Sequence, residues 1–437
     1  MALVPLASSR YPLEVLLVLA AHEPGAFSLD VPDPRHPVTL LGCAPTDELV
    51  VDAATPDPLG AIARFVAESP AADPTLPFPL GGGVIGYLAY ELGARLARPT
   101  LDRLPVEPLA VLRRYDPILV FDRLRRQFSL LHLDERRPRP AWLDRLATRV
   151  TLPRAPLAAA RLAPALPADV HLARVRRILD YLAAGDAYQV NFTQPFGAPL
   201  VAPAWALFAR LAHAHPAPYG AYLDLGDRQL VCNSPELFLR RRGTHVETRP
   251  IKGTRGRDGD DAAALADLQR DPKDAAEHVM IVDLERNDLG RVCRPGSVRV
   301  EAFARPESHP TVHHLVSVVT GTTRDDVDLA SLLAATFPGG SITGAPKVRA
   351  MEIIAELEDH ARGVYTGALG LLHPSGDLEL ALPIRTAVVD GGRLRWPAGG
   401  GIVIDSDPVR ELDEAWVKTA AVRAALDEPE LRWRSSG

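Results

Sequence analysis

Cysteine is nearly missing from this chain: three residues in 437, Cys43, Cys232 and Cys293, none in a C-x-x-C pair. That excludes a disulfide scaffold, fits a reducing cytosol and leaves each thiol to simple burial. Long apolar runs are also missing. The longest near the start, residues 15–21, is too short to span a bilayer and lacks the basic lead and cleavage site of a secretion signal. Positive charge is not in surplus, with a net charge of −6 and a pI near 6.1, so no basic footprint for nucleic acid is present. The arginine-rich runs at 123–126 and 240–242 read as solvated faces. These absences point to a cytoplasmic protein that engages neither membrane nor nucleic acid. An ATP loop is absent too. FPGGSITGAPK sets Gly339 and Gly344 at the right gap, but Ala345 and Pro346 stand where Lys and Ser or Thr belong. Such a turn opening a helix can still offer N–H groups to a carboxylate, and residues 399–401 form a second glycine turn.

What is present is an ordinary globular balance, 47% hydrophobic and 24% charged, in a chain longer than most single cores. Residues 152–169, rich in Pro and Ala and free of Gly, read as a connector between an N-terminal region (1–151) and a C-terminal region (170–427). In the first region LAVLRRYDPILVFDRLRRQFSLLHLD reads as paired strands. Gly81, Gly82 and Gly83 ahead of VIGYLAYELG mark either a tight backbone approach or a plain strand entry. The second region alternates helices and strands. HLARVRRILDYLAAG has helical spacing and a Gly185 stop. PKDAAEHVMIVDLERNDLG is a second helix, with Val279, Val282 and Leu284 as apolar positions. GAPKVRAMEIIAELE is a third, with Pro346 in its first turn. DPVRELDEAWVKTAAVRAAL is a fourth, capped by Asp407 with Pro408 first. YGAYLDLG, LVCNSPELFLRR, VYTGALGLL, LELALPIRTAVV and GGGIVID are strand candidates.

Asp274 and Glu277 are three apart on one helix, and Glu411 and Glu414 three apart on another. Each pair shares a face. Two such faces meeting would suit a hard cation such as Mg²⁺. Spacing alone favours solvated carboxylates, and Glu414 can simply pair with Lys418 at i,i+4. Lys252, in RPIKGT, is either a surface charge or a buried amine that gives up its proton easily, as a nucleophile must. Glu236, in NSPELFL, lies in an apolar stretch, so its carboxylate is either paired or functional. His313 and His314 lack metal-ligand spacing and read as core or singly hydrogen-bonded histidines.

The ordered series YQVNFTQ, NSPELFL, RPIKGT, EHVMIVDLERNDLGRVC, VHHLVS, TFPGGSITGAPKVRAMEIIAELE, RGVYTGALG, LPIRTAV and GGGIVIDSDPVRELDEAWVK resembles the chorismate-binding family. That family includes the component I subunits of anthranilate and aminodeoxychorismate synthases, and the isochorismate and salicylate synthases. The match covers roughly residues 168–427, with weaker likeness at AFSLDVP and GGGVIGYLAYELG. The resemblance implies an α+β fold: two antiparallel sheets face to face, flanked by helices. It also implies roles. Glu277 and Glu414 match Mg²⁺ ligands, with Asp274 and Glu411 at neighbouring acidic positions. Arg385 and Tyr365 match residues that hold the enolpyruvyl carboxylate. Gln189, Gly253, Thr254, Ser341, Gly399 and Gly401 line the pocket, and His314 matches its histidine.

Two positions separate the branches. Isochorismate and salicylate synthases resemble one another in a lysine base where this chain has Gln189. Anthranilate synthases typically read PIAGT; PIKGT is similar to the aminodeoxychorismate synthases. There Lys252 is the implied nucleophile at C2 of chorismate, and Glu236 the implied general acid/base. The product expected is 4-amino-4-deoxychorismate, on the route to 4-aminobenzoate and folate. No G-x-C-x-G glutaminase turn is found, so ammonia is expected from a separate glutamine amidotransferase subunit. No pyridoxal-type lyase segment follows residue 427, so loss of pyruvate is expected from another enzyme. Anthranilate synthase component I is the alternative enzyme. A non-catalytic activating subunit is the alternative from another class, and the intact set Glu236, Lys252, Glu277, His314, Arg385 and Glu414 weighs against it.

Overall fold

The computed structural model describes residues 2–6, 10–70, 76, 78–97, 108–133, 139–153, 155–257, 259–310 and 312–427. Two antiparallel sheets carry the chain, as the resemblance implied. The first has 12 strands and the second 10. In the first, Ala2–Leu6, Gln127–His132, Ile118–Asp122, Val38–Gly42 and Phe27–Val31 lead on to Tyr219–Asp224, Arg228–Ser234, Thr386–Asp390, Arg393–Ile402 and Gln189–Pro199. In the second, Ile251–Gly256, Val312–Thr322, His245–Arg249, Leu237–Arg242, Leu378–Ala381 and Ala368–Leu372 lead on to Val84–Leu88, Ala110–Arg114 and Asp47–Val51. The N-terminal strands thus extend both sheets, through Leu29 opposite Ala221 in one and Gly86 opposite Gly370 in the other.

Burial on both faces explains the near-continuous apolar runs of these strands. Phe27, Leu29, Val38, Leu40, Leu223 and Leu230 of the first sheet share one core with Ile85, Tyr87, Val111, Leu369 and Leu371 of the second. The alternate residues face outward. Val84, Leu88 and Leu112 pack under helices that contribute Val282, Leu332 and Ile354. Leu41, Phe196 and Trp396 pack under helices Pro12–His22 and Ala204–Ala214 through Leu16 and Leu207. Each such side chain contributes about 1.5–3 kcal/mol when fully buried. Residues 155–169 run as a strap rather than a free tether: Leu157 and Leu162 enter that last core, and Ala163–Pro164 pairs with Phe196 and Gly197. No helix of the described residues is long and apolar enough to cross a membrane.

Several expectations need correction. Ala110–Arg114 and Ile118–Asp122 are adjacent in sequence but belong to different sheets; only Ile118–Asp122 pairs with Gln127–His132. LVCNSPELFLRR and LELALPIRTAVV likewise each cross from one sheet to the other. The fourth helix is two, Pro408–Val417 and Ala420–Asp427, because Thr419 gives both its N–H and its Oγ to the Trp416 carbonyl. Pro346 caps helix Lys347–Leu357 from outside its first turn. Val279 points to solvent at 55% exposure, whereas Val282 is buried as expected, with Ile281 and Leu289 beside it on the inner face. Gly83 resolves as a close approach: a Cβ there would stand 2.6 Å from the Leu372 carbonyl oxygen.

Candidate functional site

The two sheet-to-sheet crossings run side by side and each carries a site residue. The Leu382 N–H donates to the Glu236 carbonyl at 3.0 Å, the Asn233 N–H to the Arg385 carbonyl at 3.1 Å, and Ser234 Oγ to the Leu382 carbonyl at 2.5 Å. Arg385 is held at φ 49°, a left-handed backbone that long side chains seldom adopt, and that is tolerated where surrounding bonds impose it. Its guanidinium makes no hydrogen bond to a described side chain. Burial pushes its pKa down, opposed by the nearby Glu236 carboxylate. Glu236 is 4% exposed, and its Oε1 accepts from Ser341 Oγ at 2.7 Å. Burial drives its pKa up to about 7, against the donors Ser341 and Ile251 and the charges of Lys252 and Arg385.

Lys252 lies in Ile251–Gly256, the edge strand of the second sheet. A bulge at Gly253, φ 76°, shifts the register so that Lys252 sits opposite Leu315 and Thr254 opposite His314. Lys252 Nζ donates to Glu277 Oε2 at 2.8 Å, across to helix Pro272–Gly290. This corrects the expectation of an easily deprotonated amine. Burial lowers its pKa, but the Glu277 carboxylate, then Glu414 and Glu236, outweigh it and hold the ammonium above its ordinary range. His314 is buried, with Nδ1 2.9 Å from Thr254 Oγ1 and Nε2 without a hydrogen-bond partner among the described residues. Burial first, then Arg385, lowers its pKa to about 3, so the ring is neutral.

Gly399 and Gly401 lie within strand Arg393–Ile402 rather than in the second glycine turn expected at 399–401, beside Gln189 on the neighbouring strand. A Cβ at Gly401 would sit 2.9 Å from the Gln189 amide carbon, and that amide is buried with neither Oε1 nor Nε2 bonded. Buried polar atoms without partners are rare and call for an explanation such as a bound water, ion or ligand. Glu411 and Glu414, on Pro408–Val417, converge over Gly400: a Cβ there would lie 3.2 Å from Glu411 Oε2 and 3.1 Å from Glu414 Oε1. Glu411 accepts from Ser406 Oγ at 2.6 Å. Glu414 does pair with Lys418, at 2.7 Å, and that lysine also donates to the Gly399 carbonyl. Tyr365 is buried, but the charged groups facing its hydroxyl are Arg362 and Glu358 rather than the Lys252 cluster. The side chain of Asp274 lies outside the described residues.

The donor set fits a shared cation better than a protein-only cage. Among the described residues no three His, Cys, Asp or Glu side chains are spaced to hold a metal alone. Mg²⁺ commonly takes one or two carboxylates and fills its sphere with water and substrate oxygens. Glu277, already holding an ammonium, and the exposed, Gly400-facing Glu414 suit that role.

A model of the chorismate binding enzyme family matches residues 26–424. The chain belongs to that family. It is 38% identical to aminodeoxychorismate synthase component 1 of Klebsiella aerogenes, over 97% of this chain and 95% of that one. It is also 41% identical to anthranilate synthase component 1 of Thermus thermophilus, over 86% and 84%. Among solved structures, anthranilate synthase component I of Streptococcus pneumoniae superposes with a TM-score of 0.77 at 30% identity, covering 88% of this chain and 92% of that one. The menaquinone-specific isochorismate synthase of Escherichia coli shares the fold, with a TM-score of 0.76 at 19% identity, over 98% and 94%.

Sequence reading missed two buried clusters in this chorismate-binding enzyme. Arg362 pairs with Glu358 and also donates to the carbonyls of Ile342 and Asn191, while Glu358 accepts from Thr193. Glu285 and Asp288 repeat the three-residue acidic spacing further along helix Pro272–Gly290, and Asp288 pairs with Lys347. The spacing was visible; the partner, on a distant helix, was not.

Proposed function

We propose that this chain aminates chorismate at C4 to give 4-amino-4-deoxychorismate, with Lys252 as nucleophile and ammonia delivered by a glutamine amidotransferase subunit in the cytoplasm. The observation that carries the reading is the Lys252 amine itself, 2.8 Å from Glu277 and in the field of Glu236 and Glu414. Once its ammonium proton has passed to solvent, Lys252 Nζ bonds to C2 as the 4-hydroxyl leaves. Glu236, protonated near neutrality, gives its proton to that hydroxyl, which departs as water. Ammonia then bonds to C4 as the lysine amine leaves C2, and Glu236 takes back a proton from the new C4 ammonium, regenerating the enzyme. Arg385, charged and without a hydrogen bond to any described side chain, receives the enolpyruvyl carboxylate. Neutral His314 and the Gln189 amide offer their unpaired atoms to the substrate. A Mg²⁺ ion held by Glu277 and Glu414, with Glu411 behind them, would bind the ring carboxylate and relieve the attraction that keeps Lys252 protonated.

Purified chain, chorismate, Mg²⁺ and ammonium should give a product that retains its enolpyruvyl group and yields 4-aminobenzoate on addition of a lyase. Anthranilate with released pyruvate would refute the assignment and favour the second reading, anthranilate synthesis, which the 41% identity to an anthranilate synthase supports. Lys252→Ala should abolish turnover; undiminished turnover would remove the covalent step.

A further inference from the structure

Helix Pro272–Gly290 buries a second acidic pair two turns beyond Glu277. Glu285 and Asp288 are each 4% exposed. Lys347 pairs with Asp288 and donates to the Pro338 carbonyl at 2.8 Å. Glu285 Oε1 accepts the Gly340 N–H at 2.9 Å. One ionic cluster therefore pins the short segment 338–340 at both ends. The next residue is Ser341, whose Oγ donates to Glu236 at 2.7 Å. The segment rests on the helix without slack: a Cβ on Gly340 would meet Leu284 Cδ2 at 2.8 Å and Glu285 Oε1 at 3.0 Å. The glycine turn does bind a carboxylate, as its sequence suggested, but at Gly340 the carboxylate belongs to the protein.

We propose that Glu285 is a positioning residue: by accepting the Gly340 N–H it seats the turn that presents Ser341 to Glu236, and so aligns the general acid without touching substrate. This rests on the reading of Glu236 as the proton donor of chorismate amination. The electrostatics run the same way. The groups facing Glu285 are Asp288, Lys347 and Glu236; burial, then Asp288, hold its proton up to about 7, with Lys347 opposing. Once Glu285 has ionised, above about pH 7, its negative charge disfavours a second one on Glu236, and so keeps the acid protonated to higher pH.

The test uses the full chain with chorismate, Mg²⁺ and ammonium, and compares Glu285→Gln, Glu285→Leu, Ser341→Ala and the Leu/Ala double variant. Glu285→Gln keeps an acceptor for Gly340 and loses the charge. It should hold kcat within about twofold and move the alkaline limb of kcat/KM to lower pH. Glu285→Leu should lower kcat by about tenfold, close to the loss in Ser341→Ala, with KM for chorismate little changed. Because both act on one hydrogen bond, the double variant should be no slower than the slower single. Losses that multiply independently, or an unmoved alkaline limb in Glu285→Gln, would overturn the proposal. Glu285→Gln decides the matter if Glu285→Leu does not fold. A wild type that fails to aminate chorismate refutes the reaction assigned above. An active wild type with indifferent Glu285 variants refutes this inference alone.

Discussion

Glu236→Gln should stabilise the protein while disabling it, and the two effects have one cause. The carboxyl is buried and keeps its proton up to about 7, where an exposed glutamate ionises near 4.5. Its folded pKa is raised, so the sign is fixed. The proton's contribution to stability is intact below about 4.5 and is lost as the pH rises through about 7. At about 1.4 kcal/mol per pH unit, the folded state above neutrality carries a penalty of about 3 kcal/mol. Glutamine has the same shape, still accepts from Ser341 and never ionises. In metal-free, chorismate-free buffer, urea unfolding followed by tryptophan fluorescence should show the variant more stable by about 2–3 kcal/mol at pH 8. At pH 5 the difference should shrink below about 1 kcal/mol. Turnover should fall by about 10²–10⁴, the usual worth of a general acid. A variant that is less stable at pH 8, or whose stability difference ignores pH, would show that Glu236 is not a strained, protonated acid.

Three further outcomes follow from contacts at and around the site. Arg385→Met removes a guanidinium with no hydrogen bond to a described side chain, so KM for chorismate should rise about 10–100-fold, for a lost charge-assisted bond of about 1.5–3 kcal/mol, while the melting temperature holds. Arg362→Met leaves Glu358 buried and unpaired, along with the carbonyls of Ile342 and Asn191; urea unfolding should show a loss of about 3–5 kcal/mol. Chelation by EDTA should abolish turnover reversibly, and Glu277→Ala should raise the Mg²⁺ concentration needed to restore it; full activity in chelator would refute the cation site.

Local pattern carried the helices and much of the strands but not their pairing. The caps at Asp407 and Pro408 and the stop at Gly185 are interactions within one turn, so they were readable. The crossings at Ser234–Leu237 and Ala381–Thr386 were not. A strand buried on both faces reads as an unbroken apolar run, and nothing in LVCNSPELFLRR says that its two halves serve different sheets. Yet that change of sheet is what turns Glu236 and Arg385 toward each other.

The state of the site was harder to read than its membership. Lys252 meets Glu277, and Glu236 meets Ser341, in the structure, but a motif carries no such distances. Burial alone argues for a neutral amine at Lys252; a carboxylate at 2.8 Å argues the reverse, and at that separation in a partly desolvated site the attraction wins. The free chain therefore holds Lys252 in an ion pair. Any account of reactivity must say what separates Lys252 from Glu277. A divalent cation competing for Glu277 answers that with residues already in place, whereas an account in which Glu277 keeps its lysine throughout turnover leaves the amine protonated and unable to attack.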